Sequence, residues 1–196
     1  MEGKLFLKEV SSLEEEKIQT NSFFSIKALI FALGFGIVAL LIVIAGLHLP
    51  IPGSTVVTDP RELFTTLGAA LSGPVGGVIV GILAGIKEPE GLYLASLLAH
   101  IAGGIWMGFA YKRFVYEKMA MPKLLLGWAG LVLAYYYVFV LTGFTIGLVM
   151  FYNDPTSLGQ LYLTLAKGAT PEALLTTVVT SMALFALPKK IIKPLW

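Results

Sequence analysis

Four glycines recur at four-residue intervals in the apolar stretch LSGPVGGVIVGILAGI, and this pattern most restricts the fold of the chain. They are Gly73, Gly77, Gly81 and Gly85. On a helix this spacing leaves one face without side chains, which allows a second helix to approach closely within a lipid bilayer. In water each glycine would weaken the helix by roughly 1 kcal/mol relative to alanine. The stretch therefore predicts a central, closely packed helix of a membrane bundle.

A Gly/Pro-rich loop is the alternative interpretation, because the Gly73-Pro74 dipeptide is a strong break signal. The residues that follow it, among them Val75, Ile79 and Leu83, offer no polar surface that water could solvate. We therefore predict a break at Gly73-Pro74 followed by a helix.

The composition predicts an all-α integral membrane protein. Of the 196 residues, 57% are hydrophobic and only 13% are charged, so the chain has too few polar residues to form the surface of a water-soluble protein. This length allows one bundle and leaves no room for a separate catalytic domain. The absence of cysteine excludes disulfides and thiolate metal sites.

The number of membrane spans depends on the Gly73-Pro74 break. The other predicted spans are Ser25–Leu47, Gly91–Tyr111, Leu124–Phe151 and Pro171–Leu187. If Arg61–Ile86 is one span, the total is five, whereas a tight reversal at the break gives six. Six spans place eleven of the fourteen Lys and Arg residues on one side of the membrane: Lys4, Lys8, Lys17, Lys27, Lys112, Arg113, Lys118, Lys123, Lys189, Lys190 and Lys193.

The positive-inside rule favours the six-span arrangement, with both termini in the cytoplasm. The predicted organisation is a cytoplasmic N-terminal segment at 1–24, a six-helix membrane domain at 25–190 and a cytoplasmic tail at 191–196. Its second and third helices are short, because ~12 residues at ~1.5 Å each reach about 18 Å against a hydrocarbon core of roughly 30 Å. Short helices persist in membranes where protein buries them or where they line a cavity, so this region predicts a site.

Ionisable and polar residues near the outer ends of the spans are the candidate ligand contacts, because such groups are costly in lipid. Arg61 and Glu62 fit either charged ligand contacts or an interfacial pair, and His100 fits either a ligand contact at the pocket floor or a bond to a neighbouring helix. We expect Tyr93 and Phe144 as pocket walls. The polar contacts expected from the far side are Asn153, Glu172 and Thr176. This mixture suits a neutral or zwitterionic ligand, and Tyr152–Thr170 is expected to cover the outer face as a loop or an interfacial helix.

The sequence contains no enzymatic constellation. It has no paired carboxylates on a helix, no metal-ligand histidine spacing and no serine–base arrangement. The glycines of the 73–85 stretch follow no strand, so they do not form a nucleotide motif. We expect no enzymatic activity, no cofactor, no bound metal and no nucleic-acid partner.

The chain resembles the substrate-binding (S) components of energy-coupling factor (ECF) vitamin transporters. The resemblance rests on the small-residue motif Ala28-Leu-Ile-Phe-Ala32, on the run Leu67–Gly77 with its Gly-Pro, and on the closing Leu187-Pro-Lys-Lys190. It implies a six-span protein that captures a vitamin-like nutrient outside and works with a transmembrane coupling protein and cytoplasmic ATPase subunits. The stripe formed by Ala28, Ala32 and Gly36 would dock the coupling protein.

A second resemblance is local. The segment Asp59-Pro60-Arg61, followed by the glycine run, is similar to the membrane sensor region of LytS-type histidine kinases, which has an Asn-x-Arg motif before a similar run. Asp59 stands in place of the Asn, and no kinase domain follows in this sequence. This resemblance implies a membrane sensor that binds a small ligand, as the alternative to a transport component.

Overall fold

A computed structural model describes residues 25–50, 57–88, 91–118, 120, 123–188 and 190–196. The cytoplasmic segment predicted at 1–24 lies outside these residues. The described residues form five helices: α1 Ile26–Ile44, α2 Arg61–Gly85, α3 Tyr93–Tyr116, α4 Lys123–Tyr152 and α5 Leu158–Ala186. The last turn of α3, Tyr111–Tyr116, and the middle of α4, Tyr135–Val140, have π-helical hydrogen bonding. Two short strands, β1 Leu49–Pro50 and β2 Val57–Thr58, pair antiparallel before α2.

Four of these helices, α1 to α4, are long and apolar enough to cross a membrane. The predicted helical bundle is confirmed, as is the presence of helices that are long and apolar enough to cross a membrane. The helix ends of α1, α3 and α4 lie within five residues of the predicted spans.

The helix α2 turns back on itself at Gly73. This residue has φ 81° and ψ −177°, a conformation that glycine adopts without steric cost, and Pro74 then occupies the first helical position of the second half. The guanidinium Nη1 of Arg61 donates to the backbone carbonyl of Ala84 at 3.1 Å, although 23 residues separate them. On a straight helix these residues would lie about 35 Å apart. The halves 61–72 and 74–85 therefore lie side by side in opposite directions.

The glycine face of the second half packs against α3. A Cβ atom on Gly77 would overlap the backbone carbonyl of Gly104, and one on Gly85 would lie 2.8 Å from the Cα of Leu97. Gly81 faces the backbone of His100 in the same way. The two backbones approach closely because these positions carry no side chains, as the four-residue spacing predicted.

The small-residue stripe of α1 lies against α2. Ala28 and Ala32 are buried, and a Cβ atom on Gly36 would lie 2.6 Å from the side chain of Leu83. These three residues were predicted to dock a partner protein, yet the chain's own second helix covers them. A partner could contact them only after α2 had moved away. The face of α1 that remains exposed carries larger apolar side chains, including Ile37 and Leu41.

The start of α5 differs from the sequence-based expectation. We expected a loop or an interfacial helix over Tyr152–Thr170 and a separate span from Pro171, whereas one continuous helix runs from Leu158 through Pro171 to Ala186. Two contacts hold its first half on α4: the Tyr162 hydroxyl donates to the carbonyl of Tyr137 at 2.6 Å, and the Tyr137 and Thr170 hydroxyls lie 2.8 Å apart. These tertiary contacts offset the destabilising effect that Pro171 has inside a helix.

The surroundings of two glycines predict that the same Gly→Ala substitution lowers the free energy of unfolding at one of them and not at the other. Gly77→Ala places a methyl group against the Gly104 carbonyl, so it should lower the free energy of unfolding by about 1–3 kcal/mol. Gly34→Ala is the matched control, because nothing lies within 4 Å of a Cβ atom there. Thermal unfolding of both variants in one detergent checks this. A Gly77→Ala protein as stable as the Gly34→Ala protein would contradict the close packing of α2 on α3.

Candidate functional site

Ionisable side chains from three helices and their flanking segments meet where the two ends of α2 lie together. We call this set the polar network; it consists of Asp59, Arg61, Glu62, Glu88, Ser96, His100 and Tyr135. Arg61, Glu62 and His100 are only 9%, 4% and 3% exposed. Buried charged groups in a largely apolar bundle are costly unless they are paired, so their partners decide what this region does.

The Glu62 carboxylate connects α2 to α3 and α4. Its Oε1 lies 2.6 Å from Nε2 of His100, and its Oε2 accepts a hydrogen bond from the Tyr135 hydroxyl at 2.5 Å. Nδ1 of His100 lies 2.7 Å from the carbonyl oxygen of Ser96. Since a carbonyl oxygen only accepts, Nδ1 is the nitrogen that donates to Ser96, and Nε2 faces the Glu62 carboxylate. The histidine is thereby fixed in one orientation between its own helix and Glu62.

The Arg61 guanidinium joins the two ends of α2. Its Nη1 donates to Glu88 Oε2 at 3.1 Å as well as to the carbonyl of Ala84, and its Nε lies 3.0 Å from Asp59 Oδ2. Oδ1 of Asp59 also accepts a hydrogen bond from the Arg61 backbone amide at 2.9 Å, which satisfies a donor in the first turn of the helix. Burial raises the pKa of Asp59, and the neighbouring Arg61 charge acts in the opposite direction.

A second group of polar side chains lies beside the network, between α4 and α5. The Tyr136 hydroxyl donates to Glu172 Oε1 at 3.3 Å and lies 2.9 Å from Thr176 Oγ1. The rings of Tyr135 and Tyr136 meet edge to face at 5.4 Å. Both tyrosines are buried, one directed to Glu62 and the other to α5, at the beginning of the π-helical turn. Such turns occur frequently at functional sites.

Carboxylates outnumber cations in this region. Asp59, Glu62 and Glu88 all lie within 4 Å of the single arginine, Arg61, and Glu62 also contacts His100. Within the described ranges, no three His, Cys, Asp or Glu residues are grouped so that they could hold a metal ion.

The structure brings five of the predicted ligand contacts together. Arg61, Glu62 and His100 are in direct contact, and Glu172 and Thr176 join them through the tyrosine pair. The other three lie apart. Tyr93 is 47% exposed at the start of α3, Phe144 is half-buried in the second half of α4, and Asn153 is exposed after α4 in a left-handed conformation with φ 53°.

Sequence reasoning missed the partners that complete the network. The sequence does not show that Asp59 and Glu88 both pair with Arg61. Ser96 and His100 are four residues apart on a helix, a spacing that could have indicated their contact. The three consecutive tyrosines of Tyr135–Tyr137 point in different directions on a helix, and the direction of each ring depends on the π turn, which the sequence does not reveal.

Two large surface grooves lie elsewhere and are apolar. One, of about 400 Å³, lies between α1 and α2 and includes Phe31, Phe35 and Phe64. The other, of about 420 Å³, lies between α3 and α4 and includes Leu98, Phe139 and Met150. Neither groove is lined by a predicted ligand contact. The polar network is instead packed closed by its own internal partners.

The chain matches no protein-family model, no curated protein sequence and no solved structure.

The Tyr135–Glu62 hydrogen bond should contribute measurably to stability. Tyr135→Phe removes the donor to a buried carboxylate, so the free energy of unfolding should fall by about 1.5–3 kcal/mol. Tyr152→Phe is the control, because its hydroxyl bonds to the Gly91 carbonyl and the Leu94 amide at an exposed site, where the loss should stay below about 0.5 kcal/mol. Thermal or denaturant unfolding of the two variants gives the comparison. Equal losses would contradict a buried network centred on Glu62.

Proposed function

We propose that this chain is the substrate-capture component of an ECF-type importer, with a small vitamin-like nutrient as its ligand. The observation that carries the proposal is the polar network: Glu62, His100 and Arg61 are buried together at one end of an apolar bundle. Ionisable groups within membrane helices are rare and usually mark a ligand or ion site. The chain itself is proposed to catalyse no reaction.

The proposed topology has six crossings, with both termini in the cytoplasm. The reversal at Gly73 supports two short crossings within α2, and α5 would supply the sixth. Lys112 Nζ donates to the carbonyl of Trp196 at 2.8 Å, and the Leu195 amide donates to the carbonyl of Leu71 at 2.9 Å. These contacts put the reversal, the end of α3 and the tail at the same end, in agreement with the grouping of eleven Lys and Arg residues on one side.

The ligand is proposed to be a neutral or zwitterionic organic molecule bound at the outer face. Every charged group of the network already has an internal partner. A ligand would therefore have to replace these internal partners with its own polar groups. A cationic or donor group of the ligand would face the carboxylates, and an acceptor group would face Arg61. Pairing of this kind suits a zwitterion better than a polyanion, which requires several convergent cations.

The proposed partners are a transmembrane coupling protein and cytoplasmic ATPase subunits, together with membrane lipid. Because α2 covers Ala28, Ala32 and Gly36, docking through this stripe requires α2 to shift. Docking to the closed form would use the exposed apolar face of α1 instead. Co-purification of ATPase subunits with the chain supports the transport proposal.

A LytS-like sensor module is the alternative function. It is favoured by the segment Asp59-Pro60-Arg61, whose two charged side chains form a partly buried ion pair at 3.0 Å. A sensor would bind a small ligand through the same network and pass the signal to a separate kinase or cyclase. Co-purification of such an enzyme instead of ATPase subunits would favour this alternative.

Ligand binding can be tested directly. Native mass spectrometry of the purified protein should detect a retained small molecule. Glu62→Gln and His100→Gln should each weaken its binding about tenfold or more, because each removes one charged hydrogen-bonding partner. Glu117→Gln is the control, since this exposed residue follows the π turn of α3 and has no contact with the network.

The affinities should be measured in stably folded protein. If both network variants bind as tightly as the Glu117→Gln control does, the ligand site lies elsewhere and the network is structural.

A further inference from the structure

The reversal at Gly73 creates backbone groups that require partners. The half-helix 61–72 ends at the reversal, and the last carbonyls of a helix have no partners within it. Within a membrane protein, free backbone groups must be satisfied by protein or by a water-filled cavity. Leu71 and Ser72 are 5% and 2% exposed, so water contributes little here.

The segment 190–196 supplies one of these partners. The amide of Leu195 donates to the carbonyl of Leu71 at 2.9 Å, one turn before the second half begins. The indole ring of Trp196 lies directly on Gly73, where a Cβ atom would overlap the ring. Position 73 therefore requires glycine for two reasons: its φ is positive, and a side chain there would collide with the Trp196 ring.

The other side of this segment is held by the end of α3. The hydroxyl of Tyr111 donates to the carbonyl of Ile192 at 2.9 Å, and Ile192 is fully buried. Lys112 Nζ donates to the carbonyl of Trp196 and lies 4.5 Å from the centre of its ring, within the range of a cation–π interaction. The tail is thus attached to α2 and α3 by backbone, aromatic and charged contacts together.

We propose that residues 190–196 act as a strap that holds the two halves of α2 closed at the reversal. Each half is about 12 residues long and extends roughly 18 Å from Gly73, and the far ends carry Arg61 and Glu88. Release of the strap lets the halves move about Gly73, which alters the distance between Arg61 and its partners. An event at the tail is in this way transmitted to the polar network. The inference holds whether or not the network binds a nutrient.

Amide hydrogen exchange in lipid nanodiscs, without any added ligand, tests the strap. Leu195→Pro removes the amide that bonds to Leu71, whereas Leu195→Ala keeps the amide and shortens the side chain. We expect exchange in peptides covering 69–78 to be about tenfold faster in Leu195→Pro than in Leu195→Ala, because without this bond the reversal opens more often and its amides lose protection. A smaller increase is expected in peptides that contain 84–88. Equal exchange in the two variants would overturn the proposal.

A second pair of variants covers the case in which Leu195→Pro does not fold. Lys112→Met removes the bond to the Trp196 carbonyl and the charge above its ring, whereas Lys112→Arg keeps a cation. Faster exchange at 69–78 in Lys112→Met than in Lys112→Arg supports the strap. No difference between these two contradicts it, and this result is independent of any measurement of ligand affinity.

Discussion

The hydrogen bonds from Arg61 to the Ala84 carbonyl and to Glu88 join the two ends of α2, and the site depends on this junction. The junction requires the reversal at Gly73, because a continuous helix would separate these groups by the length of the bundle. The second half of the reversed helix packs its glycine face on α3. Once these halves are side by side, Glu62 lies where His100 and Tyr135 reach both of its oxygens.

Burial of this many polar groups has a functional implication. Replacing a buried ion pair by apolar residues is often neutral or stabilising, so stability alone does not account for a network of Asp59, Arg61, Glu62 and Glu88. The network also links α2, α3 and α4 through side chains whose hydrogen-bonding directions are fixed. Under the proposed function, a ligand that exchanges partners with Glu62 would change contacts on three helices at once.

The sequence allowed the helical membrane class, the break at Gly73-Pro74 and the glycine contacts to be predicted, because each follows from periodicity along one segment. It also indicated Arg61, Glu62 and His100, since ionisable residues in apolar segments are conspicuous. The positions of Tyr93 and Phe144 depend on helix rotation, and that of Asn153 depends on the left-handed turn that ends α4, so none of the three could be predicted in this way. The π turn at Tyr135–Val140 changes the direction of the tyrosines, and tertiary contacts carry α5 through Pro171, so neither could be derived from local patterns.

The reversal of α2 can be measured directly as a distance. The chain has no cysteine, so spin labels can be attached at Leu63→Cys and Ile86→Cys without removing any native residue. Packed helices lie about 8–10 Å apart, so pulsed electron paramagnetic resonance of the doubly labelled protein in nanodiscs should give a distance below about 20 Å. A distance of about 35 Å, expected for 23 residues of uninterrupted helix, would contradict the reversal and the network built on it.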